Sequence, residues 1–156
     1  MTELERMLAE HACARLCTQF HILIDAYHYH EVARLFTDDA VWHHRTGQLV
    51  GFAAIRDYLA AKATTPITRH LLTNVLIDVD DPRRARGTAY VTMYYGAPGA
   101  GPVAPLSNPM IVVTYEDEFR RTESGWRFAS RRPIPTFRHA AFGEMILTKD
   151  DELKRA

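Results

Sequence analysis

The spacing of apolar residues changes once along this chain, and that change limits its possible fold more than any other feature. Up to about residue 63, apart from one short hairpin, apolar side chains recur every three or four positions, as on one face of a helix. From about residue 68 they alternate with polar side chains, as in strands that bury one face. Helices first and strands last are typical of an α+β fold, and differ from the alternating order of a parallel α/β sheet.

The same patterns place the individual elements. The first part is predicted to form a long helix, a short helix, a hairpin and a third helix: Glu3–Tyr27, His28–Phe36, Ala40–Arg45 with Gln48–Val50, and Ala53–Ala63. The second part is predicted to form long antiparallel strands: Thr68–Val79, Ala85–Tyr95, Met110–Arg121 and Trp126–Arg132. The connection at Gly96–Pro109 is rich in glycine and proline, and a connection of that length is either functional or mobile.

A sheet of this kind must hide one face, and three amphipathic helices are available to cover it. We therefore expect a conical barrel, in which a strongly bent, mainly antiparallel sheet wraps around the N-terminal helices and leaves a ligand pocket between them. A chain of 156 residues is the size of one domain. Residues 1–147 are predicted to form that domain, and the charged residues 148–156 a disordered tail.

Composition excludes several kinds of partner. The 19 basic and 19 acidic residues leave no net charge, so nucleic acid is not an expected partner. No apolar run reaches the roughly 18 residues of a membrane span, and the first residues lack the basic start and apolar run of a secretory signal. We therefore predict a cytoplasmic protein without a membrane partner.

The two cysteines give no sign of a disulfide framework. Cys13 and Cys17 stand four apart in a predicted helix and are expected to be reduced.

Two residues far apart in the sequence, Asp25 and His70, are the strongest candidates for chemistry. Asp25 lies near the end of the apolar face of the first helix, where a carboxylate is costly unless it is paired. His70 opens a strand of the sheet that this helix should cover. Taken separately, each is more commonly a surface or structural residue. Together they would form a general base, because a carboxylate raises the basicity of an imidazole and fixes its tautomer.

Other polar side chains can share the pocket. His21 lies one helical turn before Asp25 on the same face, although a place on the helix surface fits its position equally well. Tyr94 and Tyr95 point to opposite faces of their strand, so one of them can offer a hydroxyl group.

The last strand offers an arginine. Strict alternation places Arg132 on one face with Trp126, Phe128 and Ser130, and places Arg131 on the other face with Arg127 and Ala129. Which of Arg131 and Arg132 faces the pocket is left open. An arginine there can bind a leaving anion or an enolate oxygen, although a solvated sheet face is the more common role.

Other kinds of site have no matching pattern. The histidines between residues 28 and 44 include no metal-binding spacing, so no metal is expected. The glycine-rich stretch at residues 96–101 lacks a phosphate-loop lysine and the dinucleotide spacing, so it is better explained as a flexible connection. The serines lack the context of a nucleophile elbow.

Four segments together resemble one known group of proteins. They are the end of the first helix at Asp25, residues 35–42 (Leu-Phe-Thr-Asp-Asp-Ala-Val-Trp), residues 68–74 (Thr-Arg-His-Leu-Leu-Thr-Asn) and residues 125–128 (Gly-Trp-Arg-Phe). Their order resembles the SnoaL-like branch of the nuclear transport factor 2-like (cystatin-like) superfamily, from about Ala9 to Arg132. Within that branch the chain is most similar to the scytalone dehydratase and lindane dehydrochlorinase group.

The resemblance implies a conical α+β barrel and a cofactor-free elimination, dehydration, isomerisation or cyclisation. It implies that Asp25 and His70 form a proton-transfer dyad, because they stand where this group has such a pair. It also implies that Trp42 is a pocket tryptophan and that Arg131 lies near a pocket arginine.

Two positions depart from the group. Phe20 and His21 stand where the dehydrochlorinases have a lysine, and Tyr94 or Tyr95 is nearest to the second histidine of the dehydratases. The substrate of either relative therefore does not carry over to this chain.

The leading hypothesis is a cofactor-independent lyase or isomerase, of dehydratase, dehydrohalogenase or cyclase type, acting on a small hydrophobic, cyclic substrate. His70 would remove a proton, Asp25 would hold the imidazole, and Trp42 with Phe20 would form the apolar wall. The alternative is a non-catalytic ligand-binding or assembly module of the same fold, comparable to the small subunit of a ring-hydroxylating dioxygenase. A homo-oligomer, dimer or trimer, is expected, because sheets of this superfamily often bury their outer face in a partner.

Overall fold

The computed structural model of the chain describes residues 1–44, 47–62, 64, 67–96, 103–105 and 109–140. The predicted tail at residues 148–156 and most of the connection at residues 96–109 lie outside the described residues. Three helices are described: α1 (Glu3–Asp25), α2 (Tyr29–Ala33) and α3 (Gly51–Ala60). Six strands are described: β1 (Phe36–His44), β2 (Gly47–Val50), β3 (Ile67–Asp81), β4 (Arg84–Gly96), β5 (Ile111–Thr122) and β6 (Gly125–Arg138).

The predicted α+β class is confirmed. The six strands form one sheet in the order β2-β1-β6-β5-β4-β3, and every neighbouring pair is antiparallel except β1 with β6. The helices cover one face of it. In the described residues the sheet stays open, since the edge strands β2 and β3 do not pair with each other. The expected barrel is therefore an unclosed one.

Helix α1 is the element that carries the site. Its first turn is fixed by a capping box, in which the Thr2 hydroxyl accepts from the Glu5 amide and the Glu5 carboxylate accepts from the Thr2 amide. Its apolar face packs into the main core, with Cys13, Cys17 and Phe20 nearly inaccessible to solvent. The helix ends at Asp25, and Tyr27 then takes a left-handed conformation with φ of 60°, which turns the chain away.

Two boundaries predicted for the short second helix and the first strand were wrong. Helix α2 stops at Ala33, and β1 begins at Phe36 instead of Ala40. The cause is tertiary pairing: Phe36 lies beside Phe128 of β6 in the parallel pair, and both rings are buried in the core. A local sequence pattern cannot reveal that partner strand, which is about 90 residues away.

The predicted end of the last strand was also wrong. Strand β6 continues past Arg132 to Arg138 and includes Pro133 and Pro135. The register of β1 with β6 stops at the pair Trp42 and Arg131, so beyond it one side of β6 has no ladder to complete. Proline is tolerated at such an edge because its missing N–H is not needed there.

None of the described helices combines the length and the apolar character that crossing a membrane requires.

Candidate active site

The site is built around the end of α1, where Asp25 meets the start of β3. The Asp25 carboxylate accepts three hydrogen bonds from that strand. His70 Nδ1 lies 2.6 Å and the Thr68 hydroxyl 2.7 Å from Oδ1, and the His70 amide lies 2.9 Å from Oδ2. The side chains of His70 and Asp25 are only 13% and 11% exposed. The structure thus brings the two residues into direct contact.

These hydrogen bonds fix the ionisation of Asp25 and the tautomer of a neutral His70. Burial acts to raise the pKa of Asp25, but the bonds from His70 and Thr68 outweigh it and hold that pKa below its usual value. Asp25 is therefore an acceptor only, and the proton between the two side chains belongs to His70 Nδ1. When the imidazole is neutral, its lone pair is on Nε2, which has no hydrogen-bond partner among the described residues. Such an imidazole can take a proton from a molecule bound beside Nε2.

His21 points into the site and not to the helix surface. It is 2% exposed, and its ring stacks on the His70 ring with centroids 5.1 Å apart and planes 27° apart. Its Nε2 lies 3.1 Å from Nη2 of Arg131. Its Nδ1 is buried and has no hydrogen-bond partner among the described residues. Burial, and then the positive charge of Arg131, lowers the pKa of His21 well below its usual value.

Arg131 lies on the buried face of the sheet together with Trp126 and Phe128, from which strict alternation separated it, so of Arg131 and Arg132 it is Arg131 that faces the site. A bulge in β6 is the cause: Ser130 pairs with Glu118 and Phe128 pairs with Phe119, which leaves Ala129 as an extra residue. The extra residue moves Arg131 onto the face that also carries Trp126 and Phe128.

The guanidinium of Arg131 is fully buried among rings and one carboxylate. Its central carbon lies 4.1 Å from the ring centroids of Phe20 and Tyr115 and 4.5 Å from that of Phe128. Asp117 supplies the balancing charge, with Oδ2 3.4 Å from Nη1, and the thiol of Cys17 approaches the same oxygen at 3.6 Å. Burial raises the pKa of Asp117 to about 6, although Arg131 acts in the opposite direction.

Asp117 and Tyr115 are site residues that sequence reasoning missed. A signal was present, because Asp117 is the one charged member of the inward-facing series of β5: Val113, Tyr115, Asp117 and Phe119. A carboxylate in such a series needs a buried partner. Only the bulge that turns Arg131 inward identifies which partner it is.

Trp42 and Phe20 form one wall beside the histidines. Their rings meet edge to face at 5.5 Å, and Phe20 meets the His21 ring at 5.2 Å. Both side chains are buried, and Trp42 Nε1 lacks a hydrogen-bond partner within the described part of the chain. Behind Trp42, the Tyr58 hydroxyl lies 2.7 Å from His44 Nε2.

The register of β3 with β4 separates the two tyrosines. Tyr95 is opposite Thr68, on the face of the sheet that carries His70, whereas Tyr94 is opposite the exposed Arg69 on the outer face. The structure therefore brings Tyr95, and not Tyr94, to the side of the dyad.

A charged groove elsewhere on the sheet, lined by Asp80, Arg86 and Glu118 among others, includes none of the predicted site residues.

No group of three or more histidine, cysteine, aspartate or glutamate side chains among the described residues is arranged to hold a metal ion. The arrangement supports proton transfer by His70 beside the buried ion pair of Arg131 and Asp117.

Comparison with solved structures shows which proteins share this fold. A putative scytalone dehydratase from Novosphingobium aromaticivorans superposes with a TM-score of 0.74 at 19% identity, over 87% of this chain and 89% of its own. A type-3 hexachlorocyclohexane dehydrochlorinase from Novosphingobium barchaimii gives 0.72 at 18% identity, over 88% and 93%. A putative aromatic ring hydroxylase from Novosphingobium aromaticivorans gives 0.67 at 24% identity, over 84% and 91%.

At these identities the likeness shows the cystatin-like fold alone. No protein of curated function matches the chain. The model of the SnoaL-like domain matches residues 5–132, which include every side chain of the site described above. The chain therefore belongs to the SnoaL-like family.

Proposed function

We propose that this chain is a cofactor-independent lyase or isomerase that removes a proton from carbon in a small, hydrophobic, cyclic substrate. The observation that carries the proposal is the 2.6 Å contact of Asp25 with His70 Nδ1, which leaves Nε2 of the ring as a base. The relatives of similar fold whose names describe a loss of water or of hydrogen chloride support the same class of reaction.

The chemistry requires one proton acceptor and one place for the displaced electrons. His70 Nε2 takes the proton, and the electron pair of the broken C–H bond forms a C=C bond, either with departure of the leaving group or as an enolate. Asp25 stabilises the imidazolium that results. Positioned acid–base catalysis contributes roughly 10² to 10⁴-fold, so the C–H bond must already be acidified by a carbonyl group or by a leaving group.

A test that needs no leaving group is hydrogen–deuterium exchange at the α-carbon of 2-tetralone, a cyclic ketone, followed by proton NMR in D₂O. We expect the protein to catalyse the exchange and His70→Asn to lower the rate by roughly 10² to 10⁴-fold while the circular dichroism spectrum is unchanged. His11→Asn, a change at an exposed histidine of α1, is the matched control and should exchange at the original rate. Equal rates for His70→Asn and the control would contradict the role of His70.

A second candidate function is a non-catalytic module of the same fold. The low exposure of the dyad, 13% for the His70 side chain and 11% for that of Asp25, favours it, because a small molecule has little access to the imidazole. Under this alternative His70→Asn would change ligand binding or assembly but no reaction rate, so the same exchange experiment separates the two.

A further inference from the structure

The second histidine of the site, His21, has a chemical role that its surroundings define. We propose that Arg131 fixes His21 as a neutral imidazole protonated on Nδ1, and that this N–H is the hydrogen-bond donor for the oxygen anion that forms when His70 removes a proton. The inference rests on the proposed function and assigns the group that would stabilise its charged intermediate.

The protonation state of His21 follows from hydrogen-bonding capacity. A guanidinium group has donors only, so the 3.1 Å contact from Arg131 Nη2 requires His21 Nε2 to accept. A ring that accepts on Nε2 is not an imidazolium, and its single proton is on Nδ1. The direction of the pKa change, well below the usual value because of burial and the adjacent charge, agrees with a ring that stays neutral.

Arg131 can play this part because rings and one carboxylate enclose it, although its Nε and Nη1 have no hydrogen-bond partner among the described residues. The side chain is fully buried, the rings of Phe20, Tyr115 and Phe128 surround the guanidinium, and Asp117 balances its charge. Arginine does not lose its proton in proteins, so it remains a donor at any physiological pH. Arg131 is thus a positioning residue that acts through His21.

The Nδ1 atom of His21 is a donor with nothing to bind. It is buried and has no partner among the described residues. Buried polar groups without a partner are uncommon in folded proteins, and a bound ligand is one explanation for such a group. The ring stacks on that of His70, and we place the oxygen of a ligand bound at His70 Nε2 against His21 Nδ1.

A neutral imidazole suits the stabilisation of an enolate oxygen. Its N–H donates to the growing negative charge, and Arg131 behind it strengthens the donor without contacting the substrate. A hydrogen bond to a charged group is worth about 1.5–3 kcal/mol, which corresponds to a roughly 10- to 150-fold effect on binding of an anion.

The test uses 4-nitrophenolate, a planar ring with an oxygen anion that resembles a cyclic enolate, titrated into the full chain and followed by absorbance. We expect the wild type to bind it at least about tenfold more tightly than His21→Phe, which keeps a ring beside His70 but removes the donor. His11→Asn is again the matched control and should bind as the wild type does. Equal binding by His21→Phe and the wild type, or no binding by the wild type, would overturn the proposal.

Nitrogen-15 NMR of the labelled histidine rings tests the tautomer directly and does not depend on any variant folding well. We expect one histidine of the wild type to stay neutral, with Nδ1 protonated and Nε2 bare, from about pH 7.5 to 5.5. In the double variant D117N/R131M, which removes the buried charges as a pair, that histidine should lose its fixed tautomer. A wild-type His21 protonated on Nε2 or on both nitrogens would refute the assignment.

His70→Asn separates this inference from the proposed function. If it stops the exchange of 2-tetralone and still binds 4-nitrophenolate, both proposals are supported. If it leaves the exchange unchanged while phenolate binding still depends on His21, the base is wrong and the donor stands.

Discussion

At the scale of single residues, Asp25 and His21 have opposite relations to charge. Asp25 is surrounded by donors and is held ionised, whereas His21 is buried beside the Arg131 guanidinium and is held neutral. Each state is imposed by the groups in contact and not by the residue type. The two residues should therefore respond to pH in different ranges.

Asp25→Asn should lower the free energy of unfolding by about 1–3 kcal/mol at pH 7. An amide can accept the bonds to Oδ1 from His70 Nδ1 and Thr68, but its NH₂ group then faces the His70 amide, which is also a donor. Because the folded pKa of Asp25 is lowered, its stabilising contribution is present above the unfolded pKa and is lost as the pH falls through the folded value. Urea unfolding at about pH 7 and about pH 3 should show the gap between the proteins closing, and a gap of constant size would contradict the assignment.

His21→Gln should reduce the amount by which the free energy of unfolding falls as the pH is lowered. The folded pKa of His21 is lowered, so below the unfolded value of about 6.5 the unfolded state binds a proton that the folded state does not. The wild type therefore loses stability through this group as the pH falls from about 7.5 to 5, and the glutamine variant does not. The charged and titratable groups that face the ring, Arg131 and His70, remain in both proteins. Parallel curves in urea unfolding across that range would show that His21 is not held neutral.

The dyad could be predicted from sequence because each member stands out in its local pattern. Asp25 is a carboxylate on an apolar helix face, and His70 is a histidine at the start of a strand on the sheet that this helix covers. The resemblance to a known group then joined them. The pairing of Asp117 with Arg131 could not be predicted, because it depends on a bulge at Ala129 that nothing in the local sequence marks.

At the scale of elements, the bounds of a helix or strand could be predicted where the local sequence pattern determines them. They could not be predicted where pairing with a distant strand determines them. Helix α1 has a capping signal at Thr2 and a continuous apolar face. The early start of β1 and the late end of β6 both depend on which strand lies alongside, and neighbours across the sheet leave no mark in the nearby sequence.

Gly87 of β4 is required by packing between strands. A Cβ atom there would lie 2.8 Å from Ile77 Cδ1 and 2.9 Å from Phe119 Cε2, and both distances are too short for carbon contacts. Since Phe119 packs on Phe128 in the core, neither ring can move freely. We expect Gly87→Ala to lower the free energy of unfolding by about 1–3 kcal/mol in urea titrations.

The neighbouring outer-face change Thr88→Ala provides the control for Gly87→Ala. Thr88 lies on the exposed side of the same strand, so its truncation should stay within about 0.5 kcal/mol of the wild type. If the two variants lose equal stability, steric crowding at Gly87 is not the cause.

At the scale of the whole molecule, the outer face of the sheet divides into two halves. Toward the site end it carries apolar and threonine side chains, including the exposed Leu71, Tyr90 and Phe137, and toward the other end it carries charged ones such as Arg86 and Glu118. We propose that the apolar half is covered by a second copy of this chain in a homo-oligomer.

Light scattering coupled to size-exclusion chromatography tests this proposal, because it measures the molar mass of the protein in solution. The wild type should have the mass of a dimer or trimer at micromolar concentration, and the pair of changes Leu71→Glu and Tyr90→Glu should reduce it to one chain. Glu118→Gln on the charged half should leave the mass unchanged. A monomeric wild type, or an unchanged mass in the double variant, would exclude this interface.

The parallel pairing of β1 with β6 determines the order in which the site can assemble during folding. Asp25 and His70 are 45 residues apart and can meet once the first half of the chain has been synthesised. His21 and Arg131 are 110 residues apart, and Arg131 reaches its place only when β6 lies alongside β1. Closing the longer loop costs more entropy, so we expect the contact of His21 with Arg131 to form after that of Asp25 with His70. A nascent chain should then form its dyad before the last strand fixes His21.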